Sequence, residues 1–232
     1  MTFVLVPGAG GEGWYWHRVA PLLESAGHRA IAVDLPTADV DAGLAAYADA
    51  IVAAAGDAAD VTLVAQSMGG FSAALTVGRL DVRRIVLVNA MVPKPGETAG
   101  EWWDAVGQPA ARRDHERAAG RDPDAPFDVV EGFFHDVPSE VTAEAMRRGE
   151  PAQADRPFGE PWPLTAWPDV PTSAIVGRHD RLFPEALQRR VLADRLGIEP
   201  TVINGGHLLA LSNPKGLAAA VLERSANDHV NG

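Results

Sequence analysis

Six short apolar runs, separated by longer Ala- and Leu-rich stretches, constrain this chain more than anything else in it. They are Thr2–Val6, His28–Val33, Val61–Ala65, Arg84–Asn89, Thr172–Val176 and Pro200–Ile203. Each has the length of a strand and a nearly all-apolar, β-branched centre, the pattern of strands covered on both faces. The stretches Trp14–Ala26, Gly43–Ala55, Met68–Leu80, Pro184–Leu196 and Lys215–Ser225 read as helices, with Gly27, Gly56 and Gly197 as stops and Pro184 as a first helical residue. Strand and helix in regular alternation predict an α/β domain with a six-stranded, mainly parallel sheet flanked by helices.

The alternation breaks once. After the fourth run, where a single helix would suffice, residues 93–170 form a Pro- and Gly-punctuated, Trp-rich region that is too long for a loop. Glu101–Ala118, Pro126–Phe134 and Ser139–Arg148 are its helix candidates. The expected organisation is a core of residues 1–92 and 171–232, with 93–170 inserted as a helical cap over the carboxyl edge of the sheet. The polar segment Ala226–Gly232 is expected to fray.

Charge and cysteine content narrow the chemistry. A net charge of −11 repels phosphate backbones and anionic lipids, so nucleic acid and membrane surfaces are not expected partners. Thr2–Val6 is too short for a signal-peptide core, and no stretch approaches the roughly 20 apolar residues of a membrane span. The expected location is the cytoplasm. With no cysteine in the chain there is no disulfide, thiolate metal site or cysteine nucleophile. Chemistry falls to Ser, His and carboxylates, with a small molecule as the expected partner.

Four motifs carry that chemistry. In Val61-Thr-Leu-Val-Ala65-Gln66-Ser67-Met68-Gly69-Gly70 a strand runs through a small-residue turn into a helix, as in a G-x-S-x-G nucleophile elbow with Ala65 in the first glycine position. A serine helix cap after a buried strand is the plainer alternative. Gly8-Ala9-Gly10-Gly11-Glu12-Gly13 follows the first strand and also satisfies a loose G-x-G-x-x-G. Asp34 then stands where a dinucleotide fold has its ribose-binding acid. That competing assignment gives no role to Ser67 or to the two remaining motifs. Ile175-Val-Gly177-Arg-His-Asp180 and Val202-Ile-Asn-Gly205-Gly206-His207 each deliver one chemical side chain just beyond a late strand.

Ser67, Asp180 and His207 stand in the chain order of an α/β-hydrolase triad. Together with Val6-Pro-Gly-Ala-Gly-Gly-Glu-Gly-Trp-Tyr-Trp16, these motifs make the whole chain resemble the α/β-hydrolase superfamily. The resemblance is to its small-enzyme branch of plant methylesterases, hydroxynitrile lyases and bacterial serine esterases. It implies an α/β-hydrolase fold that opens on the strand carrying the oxyanion loop, with backbone N–H groups of Ala9 and Met68 as the oxyanion hole. It also implies a cofactor-free and metal-free serine carboxylesterase acting on an uncharged, partly hydrophobic ester. Pro7 departs from the family's usual histidine, and Ala65-Gln66 from its usual Gly-His.

The substrate pocket is expected from Gly8 and from Trp102, Phe133, Phe134 and His135 of the insertion. Hydroxynitrile lyases resemble this chain but carry a threonine and a lysine where Gly8 and Leu208 stand here, so a lyase would lack its usual cation. A small-molecule binding protein that has kept the fold is the alternative from another class.

Overall fold

The structure, a computed structural model, describes residues 1–226. Of the segment Ala226–Gly232, expected to fray, Ala226 ends the last helix and the rest falls outside the described residues. Six strands, β1 (Thr2–Val6), β2 (Arg29–Ala32), β3 (Val61–Gln66), β4 (Val82–Val88), β5 (Thr172–Gly177) and β6 (Thr201–Ile203), form one sheet. Their order is β2-β1-β3-β4-β5-β6, and every neighbouring pair is parallel. All six carboxyl ends therefore meet one edge. Register sharpens this, because Val6 pairs with Ala65 and Gly177 with Ile203, so the loops that follow these strands leave the sheet at one level.

Side chains alternate across the sheet, as the two-residue period of a strand requires. Val4, Val6, Leu63, Ala65, Ile85, Leu87 and Val176 enter one core. Phe3, Leu5, Val64, Val86, Val88 and Ile175 enter the other. Helices α1 (Ala20–Ser25), α2 (Leu44–Ala55) and α3 (Gly69–Ala73) precede β4. Between β4 and β5 lie α4 (Ala99–Ala105), α5 (Gln108–Ala118), α6 (Val129–Phe133), α7 (Ser139–Arg148) and α8 (Arg156–Gly159). Helices α9 (Glu185–Leu196), α10 (Leu209–Ser212) and α11 (Pro214–Ala226) follow β5. Leu44, Tyr47 and Ile51 of α2 close the first core, and Leu217 and Val221 of α11 close the second. Each such side chain contributes ~1.5–3 kcal/mol on burial. No helix among the described residues is long and apolar enough to cross a membrane.

Several expected helices are shorter or broken, each for a local reason. The Trp14–Ala26 stretch divides into a 3-10 turn at Gly13–Trp16 and the short α1, which has proline in its first turn. Met68–Leu80 is helical only as α3 and a 3-10 turn at Ala74–Thr76. There the Ser72 and Thr76 hydroxyls donate back to carbonyls three residues earlier, competing with the α-helical pattern. Glu101–Ala118 splits into α4 and α5 because Gly107 adopts a left-handed φ of 67°. Helix α4 starts earlier than expected on a Thr98–Glu101 capping box. Pro184 precedes α9 in extended backbone rather than opening it. Helices α8 and α10 had no counterpart in the sequence pattern.

The insertion's indoles pack inward. Trp102 and Trp162 are 2% and 1% exposed and join the first core. Their ring N–H groups donate to the Val92 and Phe71 carbonyls. The placement of Trp102 in a substrate pocket is thereby corrected, since a buried indole with a satisfied N–H seats this segment on the sheet.

Candidate active site

Strand β3 ends at Gln66, and the next residue, Ser67, takes φ = 49°, one of three non-glycine residues with positive φ among those described. Left-handed backbone costs a serine of order 1 kcal/mol and persists only where surrounding bonds impose it. Here the Ser67 N–H donates to the Val88 carbonyl, and the Ser67 carbonyl accepts from the Gly70 and Met91 N–H groups. Close packing explains the small neighbours: a Cβ on Gly69 would lie 2.6 Å from the Pro7 carbonyl oxygen, and one on Gly70 2.1 Å from that of Met91. The position preceding α3 is held by Met68, not Ser67, and no side chain caps the helix.

The turn brings the Ser67 Oγ to 3.1 Å from His207 Nε2, and His207 Nδ1 lies 2.8 Å from Asp180 Oδ2. All three residues are buried, Asp180 completely. A buried carboxylate needs donors. Asp180 Oδ1 accepts the Leu182 and Phe183 N–H groups, each at 2.8 Å, and Gln188 Nε2 stands 3.3 Å from Oδ2. With Nδ1–H directed at the carboxylate, Nε2 keeps its lone pair for the Ser67 hydroxyl. Phe133 and Phe183 flank the imidazole, their ring centroids 5.4 and 5.1 Å away.

The glycine loop after β1 lies beside this turn. Gly10 N–H donates to Gln153 Oε1, Gly11 N–H to the Gly8 carbonyl, and Gly13 N–H to Asp34 Oδ1 at 2.7 Å. The oxygen that a dinucleotide fold would present to a ribose thus ties the loop to the segment after β2. A 3-10 turn, not an α-helix, follows that loop. The backbone N–H groups of Ala9 and Met68 take no acceptor among the described residues.

A cavity of about 380 Å³ opens above, with Gly8, Ala9 and Gln66 on its sheet side and Val130, Phe134 and Met146 among its insertion-side walls. Of the five residues expected to line a pocket, Gly8 and Phe134 do so. Phe133 instead packs on the imidazole. His135 sits behind Gly206, with both ring nitrogens buried and without a hydrogen-bond partner among the described residues. Burial pushes its imidazole below the usual histidine range, against the opposing pull of Asp136.

This arrangement agrees with the similarity of the whole chain. The family model described as "Alpha/beta hydrolase family" matches residues 3–220. The chain belongs to the alpha/beta hydrolase family. Among its relatives, Norfluorocurarine synthase 1 of Strychnos sp is 38% identical over 85 residues, 32% of either chain. Methylesterase 3 of Arabidopsis thaliana is 30% identical over 124 residues, 48% of this chain and 47% of that one. The matches therefore span a third to a half of those relatives' lengths. The crystal structure of polyneuridine aldehyde esterase superposes with a TM-score of 0.75 over 97% of this chain and 98% of that one, at 22% identity, a likeness of fold.

Three polar residues that support this hydrolase site escaped the sequence motifs or were quoted in them without a role. Gln66 places its side-chain nitrogen 3.2 Å from His207 Nε2, beside the Ser67 hydroxyl. Asp136 accepts the Gly206 N–H. Asn89, fully buried with φ = 44°, accepts the Gly177 N–H at 2.7 Å and donates to the Gly206 and His207 carbonyls at 3.0 Å each. One amide thus joins the Asp180 loop to the His207 loop. Removing it strands buried partners at roughly 1–3 kcal/mol each. Asn89→Ala is therefore expected to destabilise the fold by about 3 kcal/mol or more, a fall of ~6–12 °C in Tm for a domain of this size. Thermal unfolding followed by circular dichroism measures it, and a shift under 2 °C would contradict the bridging role.

Proposed function

We propose that this chain is a serine carboxylesterase that works through an acyl-enzyme on Ser67. The observation that carries it is the continuous contact from Ser67 Oγ to His207 Nε2 and from Nδ1 to Asp180, beside two backbone N–H groups without an acceptor among the described residues. In this mechanism Nε2 accepts the Ser67 proton as Oγ attacks the ester carbonyl, and Asp180 stabilises the imidazolium. The tetrahedral oxygen takes the Ala9 and Met68 N–H groups, and collapse expels the alcohol with the proton from Nε2. Water then repeats the sequence on the acyl-enzyme and frees the acid. No cofactor or metal enters.

The cavity supports an uncharged, partly apolar small-molecule ester. Its volume falls within the usual range for small-molecule sites, and Val129, Val130, Phe134, Leu208 and Leu211 line it. Relatives named as esterase and methylesterase agree with this chemistry. The proposed division into a hydrolase core and a cap at residues 93–170 rests on the cavity lying between the two. We place the enzyme in the cytoplasm, in keeping with a chain free of cysteine.

Labelling by a fluorophosphonate probe, followed by peptide mapping, tests the proposal. One adduct at Ser67 and turnover of a p-nitrophenyl ester are expected. Folded protein that takes up no label there would refute it.

A further inference from the structure

The loop that carries Ala9 is held at its far end by the core, through Leu35 N–H to the Gly11 carbonyl and Gly13 N–H to Asp34, but the peptide next to Ala9 gives its N–H to the insertion. Pro7, at its start, has no N–H to give. Gly10 N–H donates instead to Gln153 Oε1 at 2.9 Å, across 143 residues of sequence. The Gln153 amide cannot serve equally well reversed, because its nitrogen already donates to the Ala154 carbonyl at 2.7 Å and to the Tyr47 hydroxyl at 3.1 Å. That orientation leaves the carbonyl for Gly10. The segment is itself fixed, since Ala154 N–H donates to the Thr37 carbonyl at 2.7 Å and Pro151 packs against Gly10. Farther along the loop, Arg148 pairs with Glu12 at 3.0 Å and lies over the Trp14 ring.

We propose that Gln153 is a positioning residue for ester hydrolysis: by holding the Gly10 N–H it sets the peptide next to Ala9, and with it one of the two oxyanion donors. The insertion then contributes to the chemical step as well as to the pocket. This rests on the esterase proposal above. Loss of a whole oxyanion donor lowers turnover by ~10²–10³ in serine enzymes, so a displaced donor is expected to lower it by about 10- to 50-fold.

The test uses the full chain with Gln153→Met, which keeps the length and loses the acceptor, and Gln153→Asn, which withdraws the acceptor by one methylene. Three quantities are measured: kcat and KM on p-nitrophenyl butyrate, inhibition by a trifluoromethyl ketone that forms a tetrahedral adduct, and inhibition by an alcohol that binds without reacting. Both variants are expected to lose about 10- to 50-fold in kcat, with KM and alcohol affinity within about twofold. Affinity for the ketone should fall in parallel with kcat, as for any group that serves the tetrahedral state. Unchanged kcat in both variants would overturn the inference. So would KM and alcohol affinity moving as far as kcat, which would make Gln153 a pocket wall. Wild-type protein that neither hydrolyses the ester nor takes a fluorophosphonate overturns the esterase proposal itself, a distinguishable result.

Discussion

Ser67→Ala is expected to lower kcat on a p-nitrophenyl ester by about 10⁴- to 10⁶-fold, the range seen when the nucleophile of a serine triad is removed. Fluorophosphonate labelling should vanish with it, while the protein stays folded. The contrast follows from how the turn is held. The bonds that impose φ = 49° are made by the Ser67 N–H and carbonyl, with Val88, Gly70 and Met91 as partners, and alanine keeps all of them. Only the hydroxyl, 3.1 Å from His207 Nε2, is lost. Residual activity above the water rate would come from the oxyanion donors and binding, which the substitution leaves alone. Stopped-flow or endpoint assays beside a melting curve decide the matter. A variant with more than a tenth of wild-type kcat would move the nucleophile elsewhere.

Asp180→Asn is expected to cost about 10⁴-fold in kcat, the effect of the equivalent change in a well-studied triad, by a different route. Asp180 Oδ1 accepts two backbone N–H groups, and an amide oxygen can keep both. The amide nitrogen is then forced towards His207 Nδ1 at the former Oδ2 position, 2.8 Å away. A donor there favours the tautomer with hydrogen on Nε2, which has no lone pair for the Ser67 proton. The same nitrogen also faces the Gln188 side-chain donor, so some loss of stability should accompany the loss of rate. Steady-state kinetics should show the fall in kcat with KM little changed. A reduction below tenfold would mean that the carboxylate does not orient the imidazole.

The sheet was legible in the sequence because its strands are compact apolar runs, and the inner strands, buried along most of their length, have little freedom to be anything else. Strands β2 and β6 at the edges stay partly exposed, contrary to the expectation of cover on both faces. Ser67, Asp180 and His207 were legible for a related reason: each follows a strand at its carboxyl end, so chain order alone sends them to one edge. The resemblance to a known family joined them into one assignment. The helix breaks were less visible. The division at Gly107 depends on a left-handed residue inside an otherwise helical stretch, and the early end of α3 on hydroxyls turning back on the backbone. Trp102 misled because an indole in an insertion has the same composition whether it faces a ligand or a core. Asn89 and Gln153 were invisible for another reason. Their partners lie 88 and 143 residues away, and no local pattern encodes such a contact.

The pairing of β4 with β5 across the insertion also bears on how the chain is made. Ile85 to Val88 form the register with Thr172 to Ile175, so the emerging amino-terminal half presents a finished, apolar strand edge with nothing yet synthesised to cover it. Such an edge is a template for intermolecular pairing until the insertion has left the ribosome and β5 docks. Ser67, the proposed nucleophile, is translated long before His207, its proposed base, so on that reading the nascent chain stays chemically silent while it is most exposed to aggregation.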